Sequence, residues 1–192
     1  MFYRPDEGHG LPHNPFKAVV APRPIGWIST RGSQGDNLAP YSFFNAVADD
    51  PPQVMFAGGH KDSIRTIEET GVFAVNIVAS AALHAMNATS ERFPRGTDEF
   101  SRAGIARAEC RAIACPRVAD APATLECRAS RVLTLPGDGN LMVIGMVVGV
   151  HLRDDCLRDG RFDLTLFQPL SRLGYRDYAA VTQVFELARP DD

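Results

Sequence analysis

Lysine is nearly absent from this chain, and basic residues are not in excess over acidic ones. The 192 residues contain only Lys17 and Lys61 as lysines, and the formal net charge is −3. Because nucleic-acid binding draws much of its affinity from neutralised phosphates, a chain without a basic excess is a poor candidate for that function. We interpret the shortage of lysine as codon bias, which still makes Lys61 less ordinary than a generic surface lysine.

Cysteine patterns typical of metal sites are also missing. Cys110, Cys115, Cys127 and Cys156 form no C-x-x-C pair, and no cluster of histidine and cysteine has zinc spacing. We therefore expect no metal and reduced thiols in a cytoplasmic protein, with a disulfide between Cys110 and Cys115 as the less favoured alternative.

Long apolar runs and glycine-rich nucleotide motifs are absent as well. The first ten residues lack the charged-then-apolar pattern of a signal peptide, and the longest apolar run, residues 141–152, is too short to span a bilayer. No G-x-G-x-x-G follows a strand and no Walker motif occurs, which disfavours a dinucleotide-binding or P-loop domain. We expect no association with membranes.

Short apolar segments separated by turn residues make up most of the chain. Apolar residues form 45% and charged residues 22% of the sequence, as in globular proteins, and the length favours one domain over residues 1–192. Strands are predicted at residues 16–21, 25–30, 53–57, 72–78, 124–134 and 141–152. This pattern predicts a mainly β fold with short helices, arranged as a small antiparallel barrel.

Three further segments give specific expectations. Residues 63–70 predict a short helix that Gly71 ends, and residues 80–89 predict another. Residues 90–104 are polar, and we expect Asp98 and Glu99 to be solvated there. Residues 141–152 are nearly all apolar, so both faces of that strand should be buried, one of them by a helix or by a second subunit.

The stretch from residue 20 to residue 71 carries the candidate site. Residues 58–62 form a loop that opens the helix with Lys61 and Ser63, and the first turn of a helix offers unpaired N–H groups and a positive dipole end. This combination suits a phosphate. The alternative is a capped surface helix with solvated ends.

Beside it lies an aromatic segment threaded with polar atoms, residues 37–45 with the sequence NLAPYSFFN. Such a segment suits the slot of a flat ring, with Ser42 and Asn45 near a polar edge or a ribityl chain. The alternative is an ordinary aromatic core strand. Ser29 and Thr30 either bind ribityl or phosphate oxygens or cap the turn that follows them.

Two residues near the end of the chain are weaker candidates for the substrate side of the ring. His151 is either a satisfied structural histidine or a neighbour of the ring that positions nicotinamide. Tyr178 either packs in the core or covers the ring.

At these residues the sequence resembles the flavin reductase-like family, whose members have the FMN-binding split-barrel fold. The resemblance covers most of the chain, and the ordered combination of motifs is specific where each alone is modest. The motifs are PRPIGWIST (22–30), NLAPYSFFNAVADDPP (37–52), KDSIRTIEETGVFAVNIV (61–78), IGMVVGVHL (144–152) and PLSRLGYRDY (169–178).

The resemblance implies a homodimer that binds FMN in a cleft near the subunit interface. Lys61 and Ser63 would hold the phosphate, and Ser29, Thr30 and Ser42 would meet ribityl or phosphate oxygens. The segment that contains Ala39, Pro40, Phe43, Phe44 and Asn45 would lie along the cofactor, with the backbone near Phe43 and Phe44 at the ring edge.

Two positions depart from the family pattern. Gly58, Gly59 and His60 precede Lys61 where a less glycine-rich segment is expected, which leaves the shape of the loop open. Tyr175 stands where relatives commonly carry a glycine, and its bulk would narrow the open face of the ring.

The resemblance therefore predicts an FMN-binding oxidoreductase that is reduced by NADH or NADPH. It would pass reduced flavin to a monooxygenase or electrons to another acceptor. Two alternatives use the same fold: a flavoredoxin-type electron carrier with resident FMN and little NAD(P)H activity, and a non-catalytic split barrel that binds another ligand or none.

Overall fold

A computed structural model describes residues 1–190 and shows a chain built mainly of antiparallel strands. The strands are β1 (Arg23–Pro24), β2 (Gly26–Gly32), β3 (Gly35–Tyr41), β4 (Phe44–Asp49), β5 (Pro52–Gly59), β6 (Val72–Ile77), β7 (Arg107–Glu109), β8 (Pro116–Val118), β9 (Ala123–Thr134), β10 (Asn140–Leu152), β11 (Leu157–Arg158), β12 (Arg161–Phe162), β13 (Leu170–Arg172) and β14 (Tyr178–Ala180). The helices are α1 (Phe16–Val19), α2 (Asp62–Thr70), α3 (Leu83–Ala88) and α4 (Glu99–Arg102), with 3₁₀ turns at Ser80–Ala82, Asp154–Cys156 and Leu164–Leu166.

One seven-stranded sheet forms the body of the molecule, in the order β3-β2-β6-β9-β10-β5-β4. The edge strand β3 approaches β5, the strand next to the opposite edge, where the ring of Tyr41 packs against the ring of Phe56 with 4.7 Å between the ring centroids. The sheet therefore curls around a single core. The prediction of a mainly β fold with short helices, arranged as a small antiparallel barrel, is confirmed.

Alternation along β2 shows how the sequence sorts the two faces of this sheet. Ile28 points into the barrel core, while Trp27 points outward and donates its indole N–H to the hydroxyl of Thr89 at 2.9 Å. Successive side chains of a strand point to opposite faces, so Thr30 shares the inner face and Ser29 the outer one. This alternation separates the two hydroxyls that the sequence placed together.

Helix α2 closes the barrel core from one end. Its residues Ile64 and Ile67 are buried against Ile28, Phe56 and their neighbours in the core. Gly71 ends the helix with a φ of 72°, a left-handed conformation that glycine adopts without strain. The helix and its end are as predicted, and it begins one residue earlier than expected, at Asp62.

A second layer covers the outer face of the sheet, and one expectation about it is wrong. Met86 of α3 and Phe100 of α4 pack with Trp27 in a separate apolar cluster. Glu99 was expected to be solvated, but it is buried and accepts hydrogen bonds from the backbone N–H of Leu38 and the side chain of Asn37, both at 3.0 Å. The carboxylate of Glu99 thus accepts an N–H group of the edge strand β3 that no neighbouring strand pairs.

The strand predicted at residues 16–21 is instead the short helix α1. The side chain of Asn14 accepts the N–H of Phe16 at 3.0 Å, and Pro15 has the helical φ of −80° at the cap position. The guanidinium of Arg23 then binds the carbonyl oxygens of Lys17 and Val20, which fixes the end of the turn. Local capping therefore overrides the strand propensity of the two valines.

Strand β10 extends from Asn140 to Leu152, and within one chain only part of it is buried on both faces. Its pairing with β5 stops at Met146, opposite Gln53, whereas its pairing with β9 continues to the end. Beyond that point Val148, Val150 and Leu152 are 39%, 57% and 45% exposed. The apolar sequence is therefore left uncovered within one chain.

No helix within residues 1–190 has the length and apolar character needed to cross a membrane. In the same part of the chain all four cysteines are free thiols. No group of three or more histidine, cysteine or acidic side chains there is placed to hold a metal ion.

Candidate functional site

The junction between β5 and α2 carries the predicted phosphate residues. Gly58 and Gly59 still belong to β5 and pair with Leu141 and Asn140 of β10, so only His60 and Lys61 separate the strand from the helix. A Cβ atom on Gly58 would lie 2.7 Å from Cε1 of Tyr41. The departure from the family pattern at Gly58 thus has a physical reason, because the Tyr41 ring lies directly over this position.

Lys61 is an exposed and unpaired cation at the start of α2. The residues on either side of it already have partners: His60 lies 2.8 Å from the carboxylate of Glu68, and Asp62 lies 3.9 Å from the guanidinium of Arg95. No carboxylate within residues 1–190 lies in ion-pair distance of Lys61. The charge is therefore available to an anion.

The first turn of α2 is also uncapped by any side chain. Lys61 occupies the cap position itself, and its carbonyl oxygen already accepts the N–H of Arg65 at 3.0 Å. The N–H groups of the first helical residues have no acceptor inside the helix, and they point along the positive end of its dipole. This geometry is suited to the oxygens of a phosphate.

Ser63 lies one residue further into this turn, but its hydroxyl is already engaged. It is buried and donates to Oδ1 of Asn37 at 2.6 Å, and Nδ2 of Asn37 in turn donates to Glu99. Only the backbone N–H of Ser63 is therefore placed to meet a phosphate, whereas the sequence predicted its side chain.

Two buried hydroxyls close to this network have no hydrogen-bond partner within residues 1–190. One is Oη of Tyr41, which lies beside Ser63, and the other is Oγ1 of Thr30 on the inner face of β2. Burial raises the pKa of the Tyr41 hydroxyl, so it stays protonated and able to donate. Buried hydroxyls are normally paired, so these two suit polar atoms of a ligand that contacts this side of the barrel.

The aromatic segment lies against the end of β5 that leads to Lys61. After β3 ends at Tyr41 the chain bends at Ser42 and Phe43, and the backbone N–H of Ala57 donates to the carbonyl oxygen of Phe43 at 2.8 Å. Phe44 then pairs with Phe56 and enters the core. The structure thus places the predicted ring segment and the predicted phosphate turn at neighbouring ends of β3 and β5.

The remaining members of this segment differ in exposure. Phe43 is 40% exposed, while Phe44 is buried. Ala39 and Pro40 are half-buried on the edge strand β3. Asn45 is exposed, and its Oδ1 accepts the N–H of Ala46 at 2.9 Å.

Positive charge surrounds the exposed ring of Phe43. The ammonium group of Lys17 lies 5.8 Å and the guanidinium of Arg23 lies 5.9 Å from the centre of this ring. Burial lowers the pKa of Arg23, and the nearby guanidinium of Arg172 lowers it further. The surface beside Phe43 therefore favours electron-rich or anionic groups.

Ser29 does not join this site. Its hydroxyl is fully buried on the outer face of β2, where it donates to the carbonyl oxygen of Pro116 at 2.7 Å and accepts from Asn76 at 3.0 Å. Because these bonds satisfy the hydroxyl, it has no free donor for a ligand. Asn76 was not recognised from the sequence, where it stands as one polar residue in an apolar strand.

The imidazole of His151 pairs with a buried carboxylate, which favours a structural role over a contact with the ring. Its Nε2 lies 2.5 Å from Oε1 of Glu126, a buried carboxylate that also accepts the N–H groups of Arg111, Ala112 and Ile113. Burial alone raises the pKa of Glu126, but these hydrogen bonds and the one from His151 outweigh burial and lower the pKa below its usual value. The Nε2 atom of His151 is therefore already engaged by Glu126.

The two tyrosines near the end of the chain lie near the N-terminal segment and Arg172. Tyr178, on β14, is half-buried, and the guanidinium of Arg172 lies 4.4 Å from the centre of its ring. Tyr175 has a positive φ of 52° and packs edge-on against His13, with 5.8 Å between the ring centroids. A left-handed backbone explains why glycine is the residue expected at position 175.

A cavity of about 200 Å³ lies on the opposite face of the sheet, away from this site. Trp27 and Ile77 contribute to its wall together with the small side chains Ala82, Ala85 and Ala121. None of the residues predicted to bind a cofactor lines this cavity.

Comparison with known proteins places these features in a family. The family described as "Flavin reductase like domain" matches residues 20–172. An uncharacterised protein of Deinococcus radiodurans is 40% identical over 187 residues, which cover 90% of this chain and 82% of that protein.

Two solved structures share the fold over nearly their whole length. Nitrilotriacetate monooxygenase component B from Bacillus cereus is 29% identical, with a TM-score of 0.89 and coverage of 97% of this chain and 98% of that one. The 2-nitrobenzoate 2-nitroreductase NbaA of Pseudomonas fluorescens is 31% identical, with a TM-score of 0.83 and coverage of 91% and 88%. The predicted split-barrel fold is thereby confirmed.

Proposed function

The chain belongs to the family of flavin reductase like domains, and on that premise we propose that it binds FMN and reduces flavin with NADH or NADPH. Family membership alone makes it a flavin-related oxidoreductase. The observation that supports FMN is the uncapped first turn of α2 with the unpaired Lys61, next to the bend at Ser42 and Phe43. A flavin that carries a phosphate suits this arrangement, because the start of α2 can bind the phosphate and the bend at Ser42 and Phe43 can contact the ring.

The phosphate would be held by Lys61 together with the backbone N–H groups at the start of α2. A charge-assisted hydrogen bond from Lys61 contributes about 1.5–3 kcal/mol, and the helix dipole adds to it. In this arrangement Ser63 contributes its N–H, while its hydroxyl keeps Asn37 and Glu99 in place. The carboxylates of Glu68 and Asp62 already have partners in His60 and Arg95, so neither is paired with Lys61.

The sugar chain and ring would lie along the segment from Ala39 to Asn45. Thr30 and Tyr41 would offer their unpartnered hydroxyls to the ribityl chain, together with Ser42. Backbone groups near Phe43 and Phe44 would meet the polar edge of the ring, and Pro40 would line its side. Phe43 would provide an apolar face.

Flavin, when bound, supplies the hydride and electron chemistry, so no protein acid or base is required. The chain's own contribution is to bind, orient and shield. Lys17 and Arg23 keep positive charge beside Phe43, which stabilises negative charge that builds up at that surface. Tyr178, stacked under Arg172, is the remaining candidate for the side from which nicotinamide would approach.

We further propose a homodimer, a cytoplasmic location and a partner that accepts reduced flavin. The uncovered apolar residues at the end of β10 support the dimer. The similarity to a protein named as a monooxygenase component B supports a monooxygenase as the flavin acceptor.

Purified protein tests the proposal directly. We expect a yellow protein that releases FMN on denaturation, or that quenches added FMN, and that oxidises NADH or NADPH steadily when free FMN is supplied. Resident FMN that only a redox partner reduces would instead identify an electron carrier of the flavoredoxin type. A colourless protein that neither binds FMN nor oxidises either nicotinamide would contradict the proposal.

A further inference from the structure

Cys110 and Cys115 stand opposite each other at the closed end of the β7–β8 hairpin. The last paired residues of the two strands are Glu109 and Pro116, and Cys110 and Cys115 follow directly toward the turn. The backbone N–H of Cys110 donates to the carbonyl oxygen of Cys115 at 3.0 Å.

This placement fits the geometry of a disulfide. Directly opposed residues of an antiparallel pair have Cα atoms about 4.5–5.5 Å apart, with side chains on the same face. Disulfides need Cα atoms about 4.4–6.8 Å apart. The separation expected for such a pair therefore falls within the range that a disulfide needs.

The two thiols are close enough to influence each other, and they differ in access. The neighbouring Cys110, followed by burial, raises the pKa of the Cys115 thiol. Cys115 is fully buried with its Sγ 3.2 Å from the carbonyl oxygen of Ser29, whereas Cys110 is half-buried at the edge of the same small apolar cluster. An oxidant from solution would therefore meet Cys110 first.

The loop between the two cysteines is held in the shape that keeps them opposed. The carboxylate of Glu126 accepts the N–H groups of Arg111, Ala112 and Ile113 at 2.7, 2.6 and 3.1 Å. Because the turn is fixed by these three bonds, its two ends stay side by side. Pre-organisation of this kind favours closure of the short ring.

The other two cysteines are placed elsewhere. Cys127 lies in the barrel core with Phe56 and Phe73, on the opposite face of β9 from Glu126. Cys156 is buried in the 3₁₀ turn at Asp154–Cys156. The arrangement therefore selects one pair among the four thiols.

We propose that Cys110 and Cys115 form a reversible intramolecular disulfide in response to hydroperoxide. The thiolate of Cys110 attacks one peroxide oxygen, the O–O bond breaks, and hydroxide leaves, so that Cys110 becomes a sulfenic acid. The sulfur of Cys115 then attacks the sulfur of Cys110, the S–O bond breaks, and water leaves with the proton of Cys115. A dithiol reductant restores both thiols by exchange.

The sequence offers a direct test by peptide mapping. Arg111 lies between the two cysteines, so trypsin separates residues 108–111 from residues 112–117. After treatment of the purified full-length protein with hydrogen peroxide and blocking of free thiols, we expect these two peptides to appear joined. The joined pair should weigh two hydrogen atoms less than the sum of its parts, and dithiothreitol should separate it.

Single variants locate the bridge. Cys110→Ser and Cys115→Ser should each abolish the joined peptide, while Cys156→Ser should leave its yield unchanged. If Cys115→Ser fails to fold because its site is fully buried, Cys110→Ser at the half-buried position still decides the question. Circular dichroism confirms that each tested variant is folded.

Three results would overturn the proposal. The first is that all four thiols remain titratable after peroxide treatment. The second is that Cys110 proceeds to sulfinic acid without any joined peptide, and the third is that the bridge forms between two chains. The reaction needs no flavin, so its failure would leave the proposed flavin function untouched.

Discussion

At the scale of single residues, Gly58 and Tyr41 form a contact on which the site depends. A side chain at position 58 would overlap the Tyr41 ring, whereas a Cβ atom on the adjacent Gly59 would meet nothing within 4 Å. We predict that Gly58→Ala lowers the free energy of unfolding by about 1–3 kcal/mol, because overpacking forces the ring or the strand to shift.

Gly59→Ala is the matched control and should change the stability by less than about 0.5 kcal/mol. Urea denaturation of both variants measures the difference. Equal effects of the two substitutions would show that the Tyr41 ring does not lie over Gly58.

The carboxylate of Glu126 is the basis of a second prediction, which concerns the dependence of stability on pH. Its pKa is lowered in the folded state from an ordinary value of 4.5. A carboxyl with a lowered folded-state pKa contributes stability above its unfolded-state pKa, and that contribution is lost as the pH falls through the folded-state pKa. We expect Glu126→Gln to cost about 2 kcal/mol at neutral pH, since it weakens charge-assisted hydrogen bonds.

The same variant should flatten the dependence of stability on pH in the acid range. Urea denaturation at neutral pH and at about pH 4 tests this, because the wild-type protein should lose part of its advantage over Glu126→Gln as acid is added. An advantage that stays constant over this range would contradict the role given to the Glu126 carboxylate.

Residue-level roles were predictable from the sequence only where they depend on a backbone position. Lys61 at a helix start and Gly71 at a helix end follow from local rules, and the structure has both there. From the sequence, the hydroxyls of Ser29 and Ser63 suit a ligand equally well, but in the structure both donate to other residues of the chain. The sequence does not reveal that the hydroxyl of Ser63 bonds to Asn37 or that the hydroxyl of Ser29 bonds to Pro116, because these partners are distant in the chain.

At the scale of elements, Asn76 joins four strands through its side chain. Its Nδ2 donates to the carbonyl oxygen of Trp27 and the hydroxyl of Ser29, and its Oδ1 accepts from the N–H of Val118 and the hydroxyl of Thr124. Loss of the amide would leave several buried groups without partners. We predict that Asn76→Ala costs about 3 kcal/mol.

Asn140→Ala provides the comparison, since the exposed amide of Asn140 makes a single bond to the carbonyl oxygen of Pro136. It should cost no more than about 1 kcal/mol in the same thermal or urea unfolding experiment. A cost for Asn76→Ala as small as that of Asn140→Ala would mean that the side chain does not bind these strands together.

Elements were predictable where side-chain periodicity and turn residues agree. Strands β2, β5, β6, β9 and β10 and helix α2 lie within a few residues of their predicted bounds. The segment at residues 16–21 failed because the valines suggested a strand, whereas Asn14 and Arg23 stabilise a helical turn. The burial of Glu99 was missed because the groups that donate hydrogen bonds to its carboxylate lie on β3, about 60 residues earlier in the chain.

At the scale of the whole molecule, the uncovered apolar surface favours a second subunit. Val148, Val150 and Leu152 lie at the end of β10, beyond its pairing with β5, and Phe185 in the C-terminal segment is 93% exposed. Exposed apolar groups of this kind mark protein interfaces. We predict a homodimer at micromolar concentration.

Light scattering of the wild-type protein and of Val150→Glu measures the oligomeric state. The variant should shift toward monomer, because an interface would bury the new charge, while Leu11→Glu at an exposed N-terminal position should not. A monomeric wild-type protein would contradict the predicted dimer.

The overall fold could be predicted from the ordered family motifs, but the contact that closes the barrel beside the site could not. Motif order fixes which strands exist, but the contact between Tyr41 and Gly58 that closes the barrel joins β3 to β5 across the sheet. Such contacts leave only indirect traces in a sequence, here the unexpected glycine at position 58.

The measurement that tests the central claim most directly compares FMN with riboflavin, which lacks the phosphate. By flavin fluorescence titration, the wild-type protein should bind FMN at least about tenfold more tightly than riboflavin. Lys61→Ala should lose most of that difference, and Lys61→Arg, which retains the charge, should keep it. Equal affinity of the wild-type protein for the two flavins, or an undiminished preference for FMN in folded Lys61→Ala protein, would contradict a phosphate site at the start of α2.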